Sequence, residues 1–266
     1  MLELVFYGIV FGSIIALGAI GLTLVFGIIR FANFAHGDLM TSGAYLALFM
    51  VSGVLSWIGI PDTNFGSLSF GWRMLIAFPV SMFIVGCLAI AADRILYRKL
   101  RKNNSGAVML AISSLGVAFI IRMLILIFWG ADSLFYRPGL MRHALQLPLG
   151  VKIRPDQILI LFVVFALVAL LHLYLQKTKM GKAMRATADN MELALVSGID
   201  TERVIILTWG IGGGLAAAGG ILYGIDVQVI GRLVEDQDLG IVDQARREQN
   251  PSLETRRKCF HLFFWL

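Results

Sequence analysis

The sequence predicts an all-α fold: a polytopic bundle of about six transmembrane helices. Hydrophobic residues make up 58% of the chain and charged residues only 15%, whereas a soluble domain carries about 25% charged residues. The mean hydropathy is +0.80. Uncharged runs long enough to cross a ~30 Å hydrocarbon core as helices occupy residues 4–29, 39–61, 74–92, 103–121, 157–176 and 204–225.

The first run is interpreted as an uncleaved helix, because no basic residue precedes it and no small-residue cleavage site follows it. Cys87 and Cys259 are too few and too far apart to indicate a disulfide framework or a metal site. The net charge of +6 is typical of basic loops in a membrane protein, so nucleic acid is not an expected partner. The expected partner of these runs is a lipid bilayer.

Two basic clusters predict the topology. Both should lie in the cytoplasm by the positive-inside rule, and they consist of Arg94, Arg98, Lys99, Arg101 and Lys102, and of Lys177, Lys179, Lys182 and Arg185. Counting back from the first cluster through spans at about 4–27, 39–58 and 74–93 places the N-terminus outside. Two spans, 107–129 and 157–176, return the chain to the cytoplasmic side. The proline-containing loop 130–156 is then external and is expected to hold ordered non-helical structure.

Small residues recur at four-residue spacing in several spans. They are Gly8, Gly12 and Ala16, then Gly210, Gly214 and Ala218, and then Gly220 and Gly224. Such stripes let helix backbones approach closely in lipid. Close packing within the bundle is the favoured interpretation, and lining of a substrate path is the alternative.

The stretch "RFANFAHGDLM", residues 30–40, places polar groups between two apolar runs. A metal site is weakly supported, because His36 and Asp38 are only two ligands. Two other interpretations are open. The connection is a simple turn between two helices, or it is a broken or re-entrant helix whose freed backbone groups face a transport path. Gly37 is expected to form the bend and Asp38 to cap the next helix. The candidate residues of a substrate path are Asn33, His36, Gly37 and Asp38.

Arg122 lies inside an apolar run, between Ile121 and Met123. An arginine near the bilayer centre costs ~2.5–3.5 kcal/mol or more. We therefore expect its side chain to snorkel toward an interface or to pair with another group.

Residues 177–200, "KTKMGKAMRATADNMELALVSGID", predict a short amphipathic helix over Met180–Val196. It should be interrupted near Asp189 and Asn190 and end at Gly198. Such a helix either anchors to the membrane surface or docks into a cytosolic partner. The sequence has no G-x-x-x-x-G-K-[ST] motif and no hydrolase motif, so this chain is expected to bind no ATP or other cofactor and not to be an enzyme.

Three stretches, "RFANFAHGDLMTSGAYLAL", "SSLGVAFIIRMLILIFWG" and "MGKAMRATADNMELALVSGID", resemble the permease subunits of branched-chain amino-acid (LIV-type) ABC transporters. The similarity runs from the N-terminus to about Arg232. It implies about eight spans, a bacterial cytoplasmic membrane, and as partners separate ATP-binding subunits that use ATP, a second homologous permease and a periplasmic solute-binding protein. The family has a coupling helix, which meets the ATP-binding subunit. The resemblance places in or beside this helix the residues Gly181, Arg185, Ala186, Asp189, Asn190 and Leu193.

Two other functions stay open from the sequence. The chain would be a permease for another small polar solute, such as urea or an amide, or a membrane scaffold that transports nothing. Binding of ligand by an associated periplasmic protein would separate the first from amino-acid import, and co-purification with an ATPase would exclude the second.

The composition changes abruptly at about Arg232. Residues 1–232 are interpreted as the permease domain, with the coupling loop at 177–200, and residues 233–266 as an atypical polar tail. Residues 233–258 contain six acidic and five basic residues, so no window there can span a bilayer. Our hypothesis is a frameshifted or wrongly assigned C-terminus that leaves a truncated permease lacking about two spans.

Overall fold

The computed structural model describes residues 2–60, 71–103, 105–130, 136, 145–146 and 152–249. Within these ranges the chain is almost entirely helical. Its α-helices are α1 (Leu2–Ile29), α2 (His36–Phe49), α3 (Leu55–Trp57), α4 (Trp72–Ala92), α5 (Arg98–Lys102), α6 (Ala107–Trp129), α7 (Pro155–Lys177), α8 (Lys179–Asp189), α9 (Met191–Val196) and α10 (Thr201–Gln249).

Two π-helical turns join successive helices without a break. Met50–Val54 connects α2 to α3, and Asp93–Tyr97 connects α4 to α5. The helical backbone is therefore continuous from α2 to α3 and from α4 to α5, because a π turn adds a residue without ending the helix. Six helical segments of the described chain are then long and apolar enough to span a membrane: Leu4–Ile29, His36–Trp57, Trp72–Lys102, Ala107–Trp129, Pro155–Lys177 and Thr201–Val227. The prediction of an all-α bundle with about six spans is confirmed.

The last of these segments is the most enclosed. In Thr201–Val227, 78% of the most apolar window is buried, whereas the corresponding share in the other five segments is 11–33%. The first part of α10 is therefore the central helix of the unit Met1–Ile225. Apolar side chains from several helices pack in two buried clusters, one including Phe31, Tyr97 and Trp209 and the other including Ile14 and Ile221.

Small residues account for the close approach of α2 and α10. A Cβ built on Gly220 would overlap the backbone carbonyl of Met40, and one built on Gly43 would lie 2.5 Å from the Cα of Ala217. Both contacts require glycine, because any side chain would force the two helices apart. The interpretation that these small residues allow close helix packing is thus confirmed for Gly220.

The other predicted small-residue stripes behave differently from one another. Gly210 and Gly214 face side chain or backbone of α4, since built Cβ atoms would lie 3.3 Å from Ile90 and 3.6 Å from Met82. Gly8 and Gly12 meet nothing within 4 Å among the described residues. The α1 stripe therefore does not pack within the described bundle, contrary to the packing interpretation.

The loop between α6 and α7 falls mostly outside the described residues. Its described parts include a two-residue antiparallel ladder of β1 (Leu145–Gln146) and β2 (Lys152–Ile153), in agreement with the expected non-helical structure. Tyr136 is also described, and its phenol donates a hydrogen bond to the Ala44 carbonyl oxygen at 3.0 Å. Burial raises the pKa of Tyr136 well above its ordinary value, so the phenol stays protonated and keeps this donor.

The chain divides into two compact units, Met1–Ile225 and Asp226–Leu266. In the second unit the backbone is helical as far as Gln249. The helix thus continues through the composition change at about residue 232, and the rest of the predicted tail lies outside the described residues.

Candidate functional site

The α1–α2 connection begins at Arg30, whose φ is 58°. Its N–H still donates to the Phe26 carbonyl oxygen at 2.9 Å, which closes the last turn of α1. A non-glycine residue in this left-handed region costs about 1–2 kcal/mol. The expectation that Gly37 forms the bend is wrong, because α2 already begins at His36 and places Gly37 in its first turn.

Asn33 is a buried residue of the α1–α2 connection, and its side chain stabilises the turn there. Its side-chain oxygen accepts a hydrogen bond from the Ala35 N–H at 3.1 Å, an Asx-type turn. The preceding N–H, that of Phe34, donates to the Ser114 hydroxyl on α6 at 3.0 Å. Asn33 is only 3% exposed, and its Nδ2 has no hydrogen-bond partner among the described residues. The connection is therefore an ordered turn that is hydrogen-bonded to α6.

His36 ties the start of α2 to α1. Its Nε2 lies 2.9 Å from the Gly18 carbonyl oxygen, and the side chain is buried. Because a carbonyl oxygen only accepts, this contact requires a proton on Nε2. His36 is thereby committed to a neighbouring helix in the described structure.

Asp38 forms an ion pair with Arg122 on α6, with 3.1 Å between Oδ1 and Nε. Asp38 is buried, whereas 59% of the Arg122 side chain is exposed. The expectation that Arg122 snorkels or pairs is confirmed by this pair. The expectation that Asp38 caps α2 is wrong, because the N-cap is Ala35 with no side-chain cap and Asp38 sits inside the first turn.

The amphipathic segment after α7 has the predicted interruption. α8 ends at Asp189, Asn190 is extended, and α9 follows and is closed by Gly198 at φ 84°. Both starts are capped by side chains: Thr178 Oγ1 accepts from Gly181 N at 2.9 Å, and Asn190 Oδ1 accepts from Leu193 N at 3.0 Å. The two capped helices form one shaped unit, called here the α8–α9 segment (Lys179–Val196).

The α8–α9 segment has a buried face and an exposed face. Gly181, Met184 and Thr187 are buried. Gly181 packs on the backbone of Tyr174 and Leu175, so it serves the α7–α8 turn and presents nothing outward. Ala186 is half-buried. The exposed residues of the segment, called here the exposed face, are Lys179, Lys182, Arg185, Asp189, Asn190, Glu192, Leu193, Leu195 and Val196.

The end of this segment exposes large apolar side chains. Leu193 is 64% exposed, Leu195 55% and Val196 87%. A ridge of this kind next to charged groups is typical of a surface that meets either lipid or another protein. The two interpretations made from sequence therefore both remain compatible with the geometry.

Replacing Asn190 by alanine should destabilise α9 by about 1 kcal/mol, because the Leu193 N–H loses its cap. Amide exchange at Leu193 in the purified chain would measure the loss. Asn190→Ser, which keeps an acceptor, should restore protection. Equal exchange in the alanine and serine variants would contradict the capping role.

Arg30 brings the two candidate regions together. Its Nη2 donates to the Ala188 carbonyl oxygen at 2.9 Å and lies 3.4 Å from that of Asp189. The sequence alone indicates no role for Arg30, because its contact joins residues 158 apart. The local signal was no more than a basic residue after an apolar run.

An aromatic cluster next to this contact was also missed. Phe31 lies 5.3 Å from Tyr97 and 6.2 Å from Trp209, measured between ring centroids, and Tyr97 stacks on Trp209 at 5.2 Å. Met184 of α8 belongs to the same buried cluster. Elements distant in sequence thus share one packed junction beneath α8.

The polar groups of this region bond to helix ends and to one another. Among the described residues no group of three or more His, Cys, Asp and Glu side chains could hold a metal ion. What the region offers is a broken helix start, an ion pair within the spans, and a surface helix connected to both.

Comparison with known proteins shows the family of the chain. The model of the family described as "Branched-chain amino acid transport system / permease component" matches residues 4–235. The high-affinity branched-chain amino acid transport system permease protein LivH of Escherichia coli is 33% identical over 229 residues, covering 84% of this chain and 70% of that protein. BraD of Pseudomonas aeruginosa, with the corresponding description, is 31% identical over 226 residues, with the same coverage.

A more distant relative comes from an archaeon. The probable branched-chain amino acid transport permease protein LivH of Methanocaldococcus jannaschii is 28% identical over 233 residues, covering 80% of this chain and 64% of that protein. No solved structure matches significantly. The chain belongs to the family of branched-chain amino acid transport permeases, which are multi-pass membrane proteins of the ABC type.

Proposed function

We propose that this chain is a transmembrane subunit of an ABC importer for branched-chain amino acids in a bacterial cytoplasmic membrane. Separate ATP-binding subunits would power it, a second homologous permease would complete the pore, and a periplasmic solute-binding protein would deliver the substrate. The N-terminus would face outside, as the basic clusters indicate. The observation that carries the proposal is the α8–α9 segment, which presents an exposed face on a chain of this family.

The exposed face is suited to docking into a groove of a cytosolic subunit. Leu193 supplies an apolar anchor that is 64% exposed, and Arg185 and Asp189 are exposed residues of opposite charge on the same segment. Apolar anchors flanked by polar groups are the usual means by which an amphipathic helix binds a groove with a defined register. The two caps keep this surface in shape before any partner is bound.

The start of α2 is the proposed neighbourhood of the substrate path. Asn33, His36, Gly37 and Asp38 lie at a helix start next to an intramembrane ion pair. Broken helix starts in transporters place backbone dipoles and charged groups where a polar solute passes. An amino acid carries both an ammonium and a carboxylate, so a site with both charge signs is a chemically suitable surrounding.

Arg185→Glu combined with Asp189→Lys tests the docking role. It should reduce recovery of the ATP-binding subunits with the chain by about tenfold or more, because it reverses charges at the centre of the contact. Co-purification and leucine uptake into proteoliposomes would be measured together. Normal recovery and uptake would contradict the docking role.

Arg94→Glu is the matched control for this experiment. Arg94 is an exposed arginine of the other basic cluster, outside the α8–α9 segment. It should leave recovery of the ATP-binding subunits unchanged. Loss of recovery in the control as well would show that basic charge in general, rather than this surface, holds the complex.

Substrate identity is tested on the soluble partner. The periplasmic protein that co-purifies with the complex should bind leucine, isoleucine and valine in preference to urea or amides. Preference for urea or an amide would replace the amino-acid assignment while leaving the importer assignment in place.

A further inference from the structure

The guanidinium of Arg30 occupies the C-terminal end of α8. The last carbonyl groups of a helix have no partner within it, and a cation there is favoured by the helix dipole. Arg30 Nη2 contacts two of these groups, at 2.9 Å from Ala188 O and 3.4 Å from Asp189 O. Both lie immediately before the Asn190 break, so the arginine is attached at the midpoint of the α8–α9 segment.

The backbone of Arg30 is held in a conformation that glycine would adopt more easily. Its φ is 58°, and among the described residues Arg30 is the one non-glycine residue with a positive φ. Such an outlier persists where the surroundings fix it, and it is a reason to ask what the side chain does. Here the left-handed turn directs the chain from α1 into the connection while the side chain reaches α8.

The residues after Arg30 continue the link to α2. Phe31 is 2% exposed and packs in the cluster that also contains Met184 of α8. Phe34 N–H is fixed to Ser114, and His36 to Gly18. The residues between Arg30 and the start of α2 at His36 are few, and several of them are held by the contacts above. A shift of α8 would therefore be passed to the first turn of α2 over a short connection.

We propose that Arg30 is a positioning residue that transmits movement of the α8–α9 segment to the start of α2, and so links ATP-driven docking to opening of the substrate path. This inference rests on the proposed function. The contact is a charge-assisted hydrogen bond between two helix ends, and it couples the elements without any contact to substrate. Phe31 and Met184 are members of one buried apolar cluster, so apolar packing also connects the two elements.

The test uses the full complex, reconstituted in liposomes with its ATP-binding subunits, second permease and solute-binding protein. Arg30→Gly removes the guanidinium and suits the positive φ, so the connection keeps its path. Leucine uptake should fall about tenfold, as expected for loss of a hydrogen bond to a charged group. ATP hydrolysis and recovery of the ATP-binding subunits should be retained, so less leucine is moved for each ATP consumed.

Two further variants give the result its meaning. Arg30→Lys keeps the cation and should restore part of the uptake. Arg203→Ala is the matched control, because Arg203 is an exposed arginine paired locally with Asp200 at 2.7 Å, and it should leave the ratio of uptake to hydrolysis unchanged. An unchanged ratio in Arg30→Gly, or loss of the ATP-binding subunits from that variant, would overturn the proposal.

Amide exchange provides a readout that a purely structural role would not move. In the unsubstituted complex, ATP binding should change the exchange of the first-turn amides of α2, and in Arg30→Gly this response should disappear while exchange without ATP stays the same. A preserved response would also overturn the proposal. Failure of the proposed function would appear instead in the unsubstituted complex, as hydrolysis without leucine uptake.

Discussion

Gly220→Ala is expected to lower the stability of the purified chain by about 1–3 kcal/mol, the usual cost of forcing an extra methyl into a packed interior. The added Cβ would overlap the Met40 carbonyl where α10 crosses α2. The neighbour is backbone rather than the end of a flexible side chain, so neither helix can accommodate the methyl by a rotamer change. Thermal unfolding in detergent, together with the monodisperse fraction, would measure the effect.

Gly116→Ala on α6 is the control for this prediction. It is also a helical glycine, and a Cβ there meets nothing within 4 Å. Alanine in an unobstructed helix position is favoured over glycine by about 0.5–1 kcal/mol, so this variant should be as stable as the unsubstituted chain or slightly more. If Gly220→Ala unfolds at the same temperature as Gly116→Ala, the α2–α10 crossing does not depend on glycine.

A second variant at the same crossing tests whether the two contacts act together. Gly43→Ala should also destabilise, because its Cβ would lie 2.5 Å from the Cα of Ala217. Once one methyl has separated the helices, the second costs less, so the double variant should lose less than the sum of the single losses. Simple additivity would show that the two contacts are independent.

The parts of the fold that were predicted from sequence are those encoded locally. Each span is a continuous apolar run, so its presence follows from composition alone. The α8–α9 interruption was predictable because Asp189 and Asn190 favour a break and Asn190 favours a helix start. Gly198 predicted the end of α9, because glycine adopts the left-handed conformation at low cost.

The details of the α1–α2 connection depend on contacts that no local pattern contains. The bend was assigned to Gly37 from residue type, whereas it lies at Arg30, where α8 and the aromatic cluster hold an unfavourable backbone conformation. Asp38 was assigned to a cap because aspartate favours that position, but its partner is Arg122, which is 84 residues away. Tertiary contact replaced the local preference in both cases.

The ion pair between Asp38 and Arg122 leads to the second large expected effect. Asp38→Asn leaves the guanidinium without its counter-charge, and Arg122→Gln leaves a buried carboxylate without its cation. Breaking a fully buried pair costs 3–5 kcal/mol. Each single variant leaves one charge without its partner inside a membrane span, where water does not screen it, so we expect a loss of about 3–5 kcal/mol, seen as less folded protein in the membrane.

The double variant Asp38→Asn with Arg122→Gln separates stability from transport. It removes both charges while keeping nearly the same shapes, so no uncompensated charge remains and the amount of folded protein should recover. Leucine uptake per folded molecule should nevertheless stay low, because the proposed path loses both charge signs that match an amino acid. Recovery of uptake together with folding would show that the pair only holds α2 to α6. Equal stability of the two single variants and the unsubstituted chain would instead show that the pair contributes nothing to the bundle.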